Sequence, residues 1–112
     1  MNESMRELQK LLAGRVQQLS KRLDEVTEAA DAETILREMQ EFNHRVTLAG
    51  QMLFREQSQE LDELVEKVRK AKSKVDSAIR EIEKLREAVA TVSDFLALVD
   101  EAIDLAKSLS LA

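Results

Sequence analysis

From Leu61 to Ala106 the chain places apolar residues in unbroken steps of three and four: Leu61, Leu64, Val68, Ala71, Val75, Ala78, Ile82, Leu85, Val89, Val92, Leu96, Val99, Ile103 and Ala106. At 3.6 residues per turn this rhythm holds one stripe of side chains along one side of a helix, the pattern that packs helix on helix in coiled-coil fashion. Ala71 and Ala78 are small and admit a close neighbour. Thr91 and Ser93 offer caps for a new helix, yet the rhythm crosses them in phase. One long helix from about 58 to 109 is therefore expected, with a break near Ser93 as the alternative.

Two shorter stripes precede it. Met5, Leu8, Leu12, Val16, Leu19, Leu23, Val26 and Ala30 form the first, and Leu36, Met39, Phe42, Val46, Ala49 and Leu53 the second. The two are out of phase, so a straight helix cannot bury both. Asp31 is the expected N-cap after the turn, with Glu33 favourably placed in the first turn. A further phase shift falls in the polar run Arg55-Glu56-Gln57-Ser58-Gln59-Glu60, where Ser58 is a cap candidate. If the chain does not turn there, the second and third helices merge into a rod. The expected helices are thus 3–30, 32–56 and 58–109 in one domain, 1–112.

Composition agrees with an all-α chain. It holds no Pro, Trp, Tyr or Cys and two Gly, and 35% of residues are charged. Sheets draw on aromatic and β-branched strands and on Gly, Pro, Asn or Asp turns, which are scarce here. At 112 residues a single core is modest, so completion of an antiparallel bundle or long helical hairpin by a second copy is expected, a dimer before other oligomers.

Charge suggests a register. Residues 24–41 carry seven acidic residues against Arg37, and residues 67–86 carry eight basic against three acidic. Antiparallel packing about residue 57, within one chain or between two, with residue i beside 114 − i, sets these blocks against each other. It also sets basic 1–22 against acidic 92–112. Exposed ion pairs add only about 0–1 kcal/mol each, so they select a register more than they stabilise one.

Several function classes are disfavoured. A net charge of −5 opposes general binding to nucleic acid and to anionic membranes. The basic run Lys67, Arg69, Lys70, Lys72 and Lys74 lacks aromatic stacking partners and reads as a helix face matched to an acidic neighbour. No apolar run approaches the roughly 20 residues that cross a bilayer. The opening MNESMREL lacks the basic start and apolar stretch of a secretory signal, which makes the cytoplasm the expected compartment.

Catalysis finds no foothold. The serines have no positioned base, and Gly14 and Gly50 are isolated, so no enzyme and no cofactor are expected. Glu41 and His44 have the Glu-x-x-His spacing of carboxylate-bridged metal bundles, which need two such pairs and two more carboxylates. With one histidine in the chain, the pair is a weak metal candidate that reads more simply as a solvated face.

Recognition falls instead on the last stretch. Beyond Ala88 the stripe widens as Phe95, Leu98, Ala102, Leu105 and Leu109 flank Leu96, Val99, Ile103 and Ala106. A wide arc needs two or more neighbours. It is covered within the chain by the first helix or by a dimer mate, or it docks a partner-protein helix. The expected function is a non-enzymatic helical interaction module, an oligomeric scaffold, adaptor or chaperone-like protein. The alternative is a bundle holding a metal or small ligand between its helices.

Overall fold

The structure, a computed structural model, describes residues 1–81 and 85–112, the side chains of 85–87 excepted. It is all-helical, with α1 (Glu3–Leu23), α2 (Ala29–Gln51), α3 (Gln59–Arg80) and α4 (Leu85–Ser108).

Each start and stop has a local cause. Asn2 caps α1, its Oδ1 accepting the Met5 amide at 3.1 Å, with Glu3 in the first turn and Lys21 and Arg22 in the last, as the helix dipole favours. At the other end the Arg22 carbonyl accepts the amides of both Glu25 and Val26, and the helix stops. Helix 1 therefore ends seven residues before the expected Ala30. Glu28, extended at φ −104° and ψ 134°, precedes α2 without a side-chain cap. Asp31 is not the cap but a first-turn residue, where its charge still meets the exposed amides. Ser58 does cap α3, its Oγ accepting the Leu61 amide at 3.4 Å.

The expected helix 58–109 is two helices. The chain leaves the helical region at Glu81 (φ −90°, ψ 89°), and α4 runs back along α3, Ala71, Lys74 and Val75 facing Thr91, Phe95 and Leu98. The alternative break near Ser93 does not occur, because α4 passes through it. Ile82, Glu83 and Lys84, and the side chains of Leu85 and Arg86, lie outside the described residues. Fifty-two residues of straight helix would span about 78 Å. The molecule measures 47 × 21 × 16 Å. An in-phase stripe is equally satisfied by two arms of a hairpin that bury it against each other, so phase alone does not reveal the fold-back.

Antiparallel hairpins α1–α2 and α3–α4 then lie side by side. Gln9 donates to the Val46 carbonyl at 3.3 Å within the first hairpin. Between hairpins the pairs are parallel. Ser4 meets Asp62, Glu7 meets Arg69 and Arg15 meets Asp76 along α1 and α3, while Arg45 meets Asp100 along α2 and α4. The expected in-chain register, i beside 114 − i, is thereby overturned. Short connections close hairpins at less entropic cost than one hinge joining two long rods, and the hairpins then pack with a near-constant offset.

One end of the bundle is stitched by backbone. The buried Asn2 donates its amide to the Leu53 carbonyl at 2.7 Å and its Nδ2 to the Glu56 carbonyl at 3.0 Å. Residues 54–56 pair with 110–112 through Glu56 N to Ser110 O (2.8 Å) and Ala112 N to Phe54 O (2.9 Å), and Arg55 donates to the Leu109 carbonyl. At the other end Arg22 reaches the Ile79 carbonyl at 3.0 Å and that of Arg80, serving carbonyls that the end of α3 leaves free.

The core runs the length of both hairpins: Met5, Leu8, Leu12 and Leu19; Ile35, Phe42 and Ala49; Leu61, Val65, Val68, Val75 and Ile79; Val92, Phe95, Val99 and Ile103. Phe42 and Phe95 meet where the hairpins join, ring centroids 6.0 Å apart. Truncating either to Ala is expected to cost about 3–5 kcal/mol in chemical denaturation. The two glycines make a contrasting pair. A Cβ at Gly14 meets nothing within 4 Å, whereas one at Gly50 lies 2.7 Å from Gln9 Nε2. Gly14→Ala should raise stability by about 0.5–1 kcal/mol; Gly50→Ala should gain less, because it displaces the Gln9 bond to Val46.

Candidate helix-binding groove

Charge is distributed by layer. Helices α1 and α3 together hold eleven basic and seven acidic residues, and α2 and α4 hold nine acidic and four basic. Because like-directed helices pair, one side of the bundle is net basic (+4) and the other net acidic (−5).

On the acidic side, α2 and α4 are clasped at mid-length. Arg45 sends Nε to Asp100 Oδ1 (2.7 Å) and Nη2 to Oδ2 (3.0 Å), a two-pronged bond of fixed geometry, and Nη1 to Glu41 at 2.8 Å. The bond to Asp100 pushes the Arg45 guanidinium above its ordinary range. Toward the helix N-termini the two backbones leave a groove of about 340 Å³, lined by Glu38, Glu41 and Arg45 from α2 and by Val89, Ser93, Leu96, Ala97 and Asp100 from α4. A small apolar recess of about 20 Å³ adjoins it, reaching Ile35, Ala88, Val92 and, from the α1/α3 layer, Leu19 and Ile79. Such a recess holds at most about one water. The groove therefore sets the apolar Val89, Leu96 and Ala97 among acidic side chains, with Val89 exposed (39%).

Glu38 belongs to both cavities. Burial raises its carboxyl above the ordinary range, Glu41 raises it further, and Arg37 and Arg45 pull it back. Among the described residues no cationic nitrogen lies within 4.0 Å of it. A carboxylate held half-buried beside a second carboxylate is a place where an incoming cation gains more than it would on open surface.

The residues expected to form an interface lie mostly inside the bundle. Phe95, Leu96, Val99, Ala102, Ile103 and Ala106 are buried, and Leu98, Leu105 and Leu109 are half-buried against the core. The wide arc of α4 is filled inside the chain, chiefly by α3 and α2. Of these residues only Leu96 also lines the groove. Glu41 and His44 are both exposed, and Glu41 is bonded to Arg45. Among the described residues no three His, Cys, Asp or Glu side chains converge as a metal site would need. Glu38, Arg45 and Asp100 were not singled out from sequence. Their only signal is position, since groove formation depends on which helix lies beside which.

The Glu38 shift fixes a sign. A folded pKa above the unfolded value means that ionised Glu38 destabilises the fold at neutral pH, a penalty that disappears as pH falls below the unfolded value of about 4.3. Glu38→Gln should therefore melt higher than the parent at pH 7, and the difference should vanish near pH 4 in paired thermal scans.

No protein-family model, curated protein or solved structure matches this chain.

Proposed function

We propose that this chain is a non-enzymatic helical interaction module that receives a basic amphipathic helix of a partner protein in the groove between α2 and α4. The observation that carries the reading is Glu38, a half-buried carboxylate with a raised pKa in a groove whose other side carries Asp100. A partner helix offering Leu or Val to Val89, Leu96 and Ala97, and Lys or Arg to Glu38 and Glu41, answers both sets of side chains. Helix-in-groove recognition works by such anchors, spaced three and four residues apart.

The reason for expecting a second copy is met by the chain's own second hairpin, which supplies the layers a dimer was to add. A partner helix is therefore the preferred occupant. Of α4's buried arc this role uses Leu96 alone.

The test uses a Leu/Lys amphipathic peptide of about four turns, followed by fluorescence anisotropy, with a Leu/Glu peptide of the same pattern as control. The Leu/Lys peptide should bind, the Leu/Glu peptide should not, and Glu38→Lys with Val89→Lys should weaken binding by at least about tenfold, the scale of one lost charge-assisted contact. Equal binding of both peptides, or indifference to the double substitution, would refute the groove. Concentration-dependent light scattering abolished by the same substitutions would assign the groove to a second copy instead.

A further inference from the structure

On the outer side of the second hairpin a helix of the basic layer stands next to one of the acidic layer. A groove of about 180 Å³ separates them, lined by Ala71 and Lys74 of α3 and by Thr91, Asp94 and Leu98 of α4, with the buried Val75 and Phe95 beneath. A seven-residue step returns close to the same side of a helix. On that spacing Leu64, Ala71 and Ala78 form a strip along α3 and Thr91, Leu98 and Leu105 a strip along α4, and all six are half-buried. Lys67 and Lys74 repeat along the α3 edge in the same way, and Asp94 and Glu101 along the α4 edge, and all four are exposed.

Lys74 and Asp94 line one groove, yet no ion pair joins them. Among the described residues Lys67, Lys74, Asp94 and Glu101 make no ion pair at all. Other charges of these helices do. Arg69 and Lys72 on α3 meet Glu7, Glu66 and Asp76, and Asp100 and Lys107 on α4 meet Arg45 and Asp104. The outer face of the hairpin therefore carries one positive and one negative edge along a half-buried, mostly apolar strip.

Such a face is complementary to itself, and its charges choose the symmetry. Two copies meeting face to face are related by a two-fold axis lying in the interface. If the axis crosses the helices, α3 lies on α3 of the second copy and the basic edges meet, which is unfavourable. If it runs along the helices, α3 of each copy lies on α4 of the other at the same height. Lys74 then meets Asp94 of the second copy and Lys67 meets Glu101, each twice by symmetry. Size agrees with this axis, because Leu98 of one copy rests on the small Ala71 of the other, and both line the groove. Two helices of this length side by side present a face of roughly 700 Å², close to the roughly 800 Å² per partner of a standard interface.

We infer that the chain pairs with a second copy of itself through the outer face of the α3–α4 hairpin, in a two-fold dimer whose axis runs along the helices and whose Lys67 and Lys74 face Asp94 and Glu101 of the second copy. The charged pairs lie at exposed edges, so they select the partner and its orientation, while the apolar strip supplies most of the attraction. The second copy answers charge and shape on this face rather than any shortage of core. This face is separate from the α2/α4 groove and does not depend on its occupant.

The test is sedimentation velocity of the full chain from micromolar to millimolar concentration. The parent should pass from monomer to dimer, less readily as added salt screens the edges. Lys67→Glu with Lys74→Glu makes both edges acidic, and Asp94→Lys with Glu101→Lys makes both basic. Each double variant should raise the dimer dissociation constant at least about a hundredfold, since like charges then face each other. None of the four side chains has an ion pair to lose among the described residues, so the helical circular dichroism should persist in both variants. An equimolar mixture of the two variants should regain the dimer, because every edge then meets its opposite. A parent that stays monomeric at every concentration, a dimer indifferent to both double substitutions, or a mixture that stays monomeric would each overturn the inference. So would a dimer lost in Glu38→Lys with Val89→Lys, which would place the second copy in the α2/α4 groove.

Discussion

The structure depends on apolar contact between two hairpins, neither of which buries its stripe alone. Phe42 on α2 and Phe95 on α4 meet at that contact with no exposed ring surface to speak of, and Met5, Leu8 and Leu12 on α1 face Leu61, Val65 and Val68 on the parallel α3. Each such side chain contributes about 1.5–3 kcal/mol on leaving water. Polar bonds then fix the register that burial permits. Arg45 and Asp100 lock one layer, Asn2 and the residue 54–56 pairing lock one end, and Arg22 closes the other.

Parallel pairing between hairpins has an electrostatic consequence. It gathers the basic helices into one layer and the acidic helices into the other. A register folded about residue 57 would have mixed those charges and neutralised both faces. As built, the two faces differ in sign: the α1/α3 layer is net basic and the α2/α4 layer net acidic.

Much of the fold is legible from periodicity. Helix type, the polar boundary before α3 and its Ser58 cap follow directly from residues 55–60 and the stripes on either side. What periodicity misses is informative. Between Arg80 and Leu85 no Gly or Pro marks an end, and a stripe that stays in phase cannot separate one long helix from two arms folded on each other. In α1, assigning the fourth stripe position to Val16 avoided placing a charge inside. The structure buries Arg15 there and leaves Val16 half-buried, because Asp76 accommodates the guanidinium. In α2 the neighbours Ile35 and Leu36 are both apolar, so apolarity does not decide between them; Ile35 is buried and Leu36, on the expected stripe, is exposed. The groove was illegible for a different reason: its residues come from helices 55 positions apart whose adjacency is a property of the tertiary arrangement.

The relative direction of α1 and α3, and with it that of α2 and α4, is the claim on which the proposed groove stands, and the chain's lack of cysteine makes it directly measurable. Nitroxides attached through Glu7→Cys and Arg69→Cys, read by pulsed dipolar spectroscopy in diluted protein, should lie within about two helix diameters, roughly 20 Å. A chain folded about residue 57 would instead hold those positions roughly 55 Å apart along the rod at 1.5 Å per residue, and that distance would contradict the account.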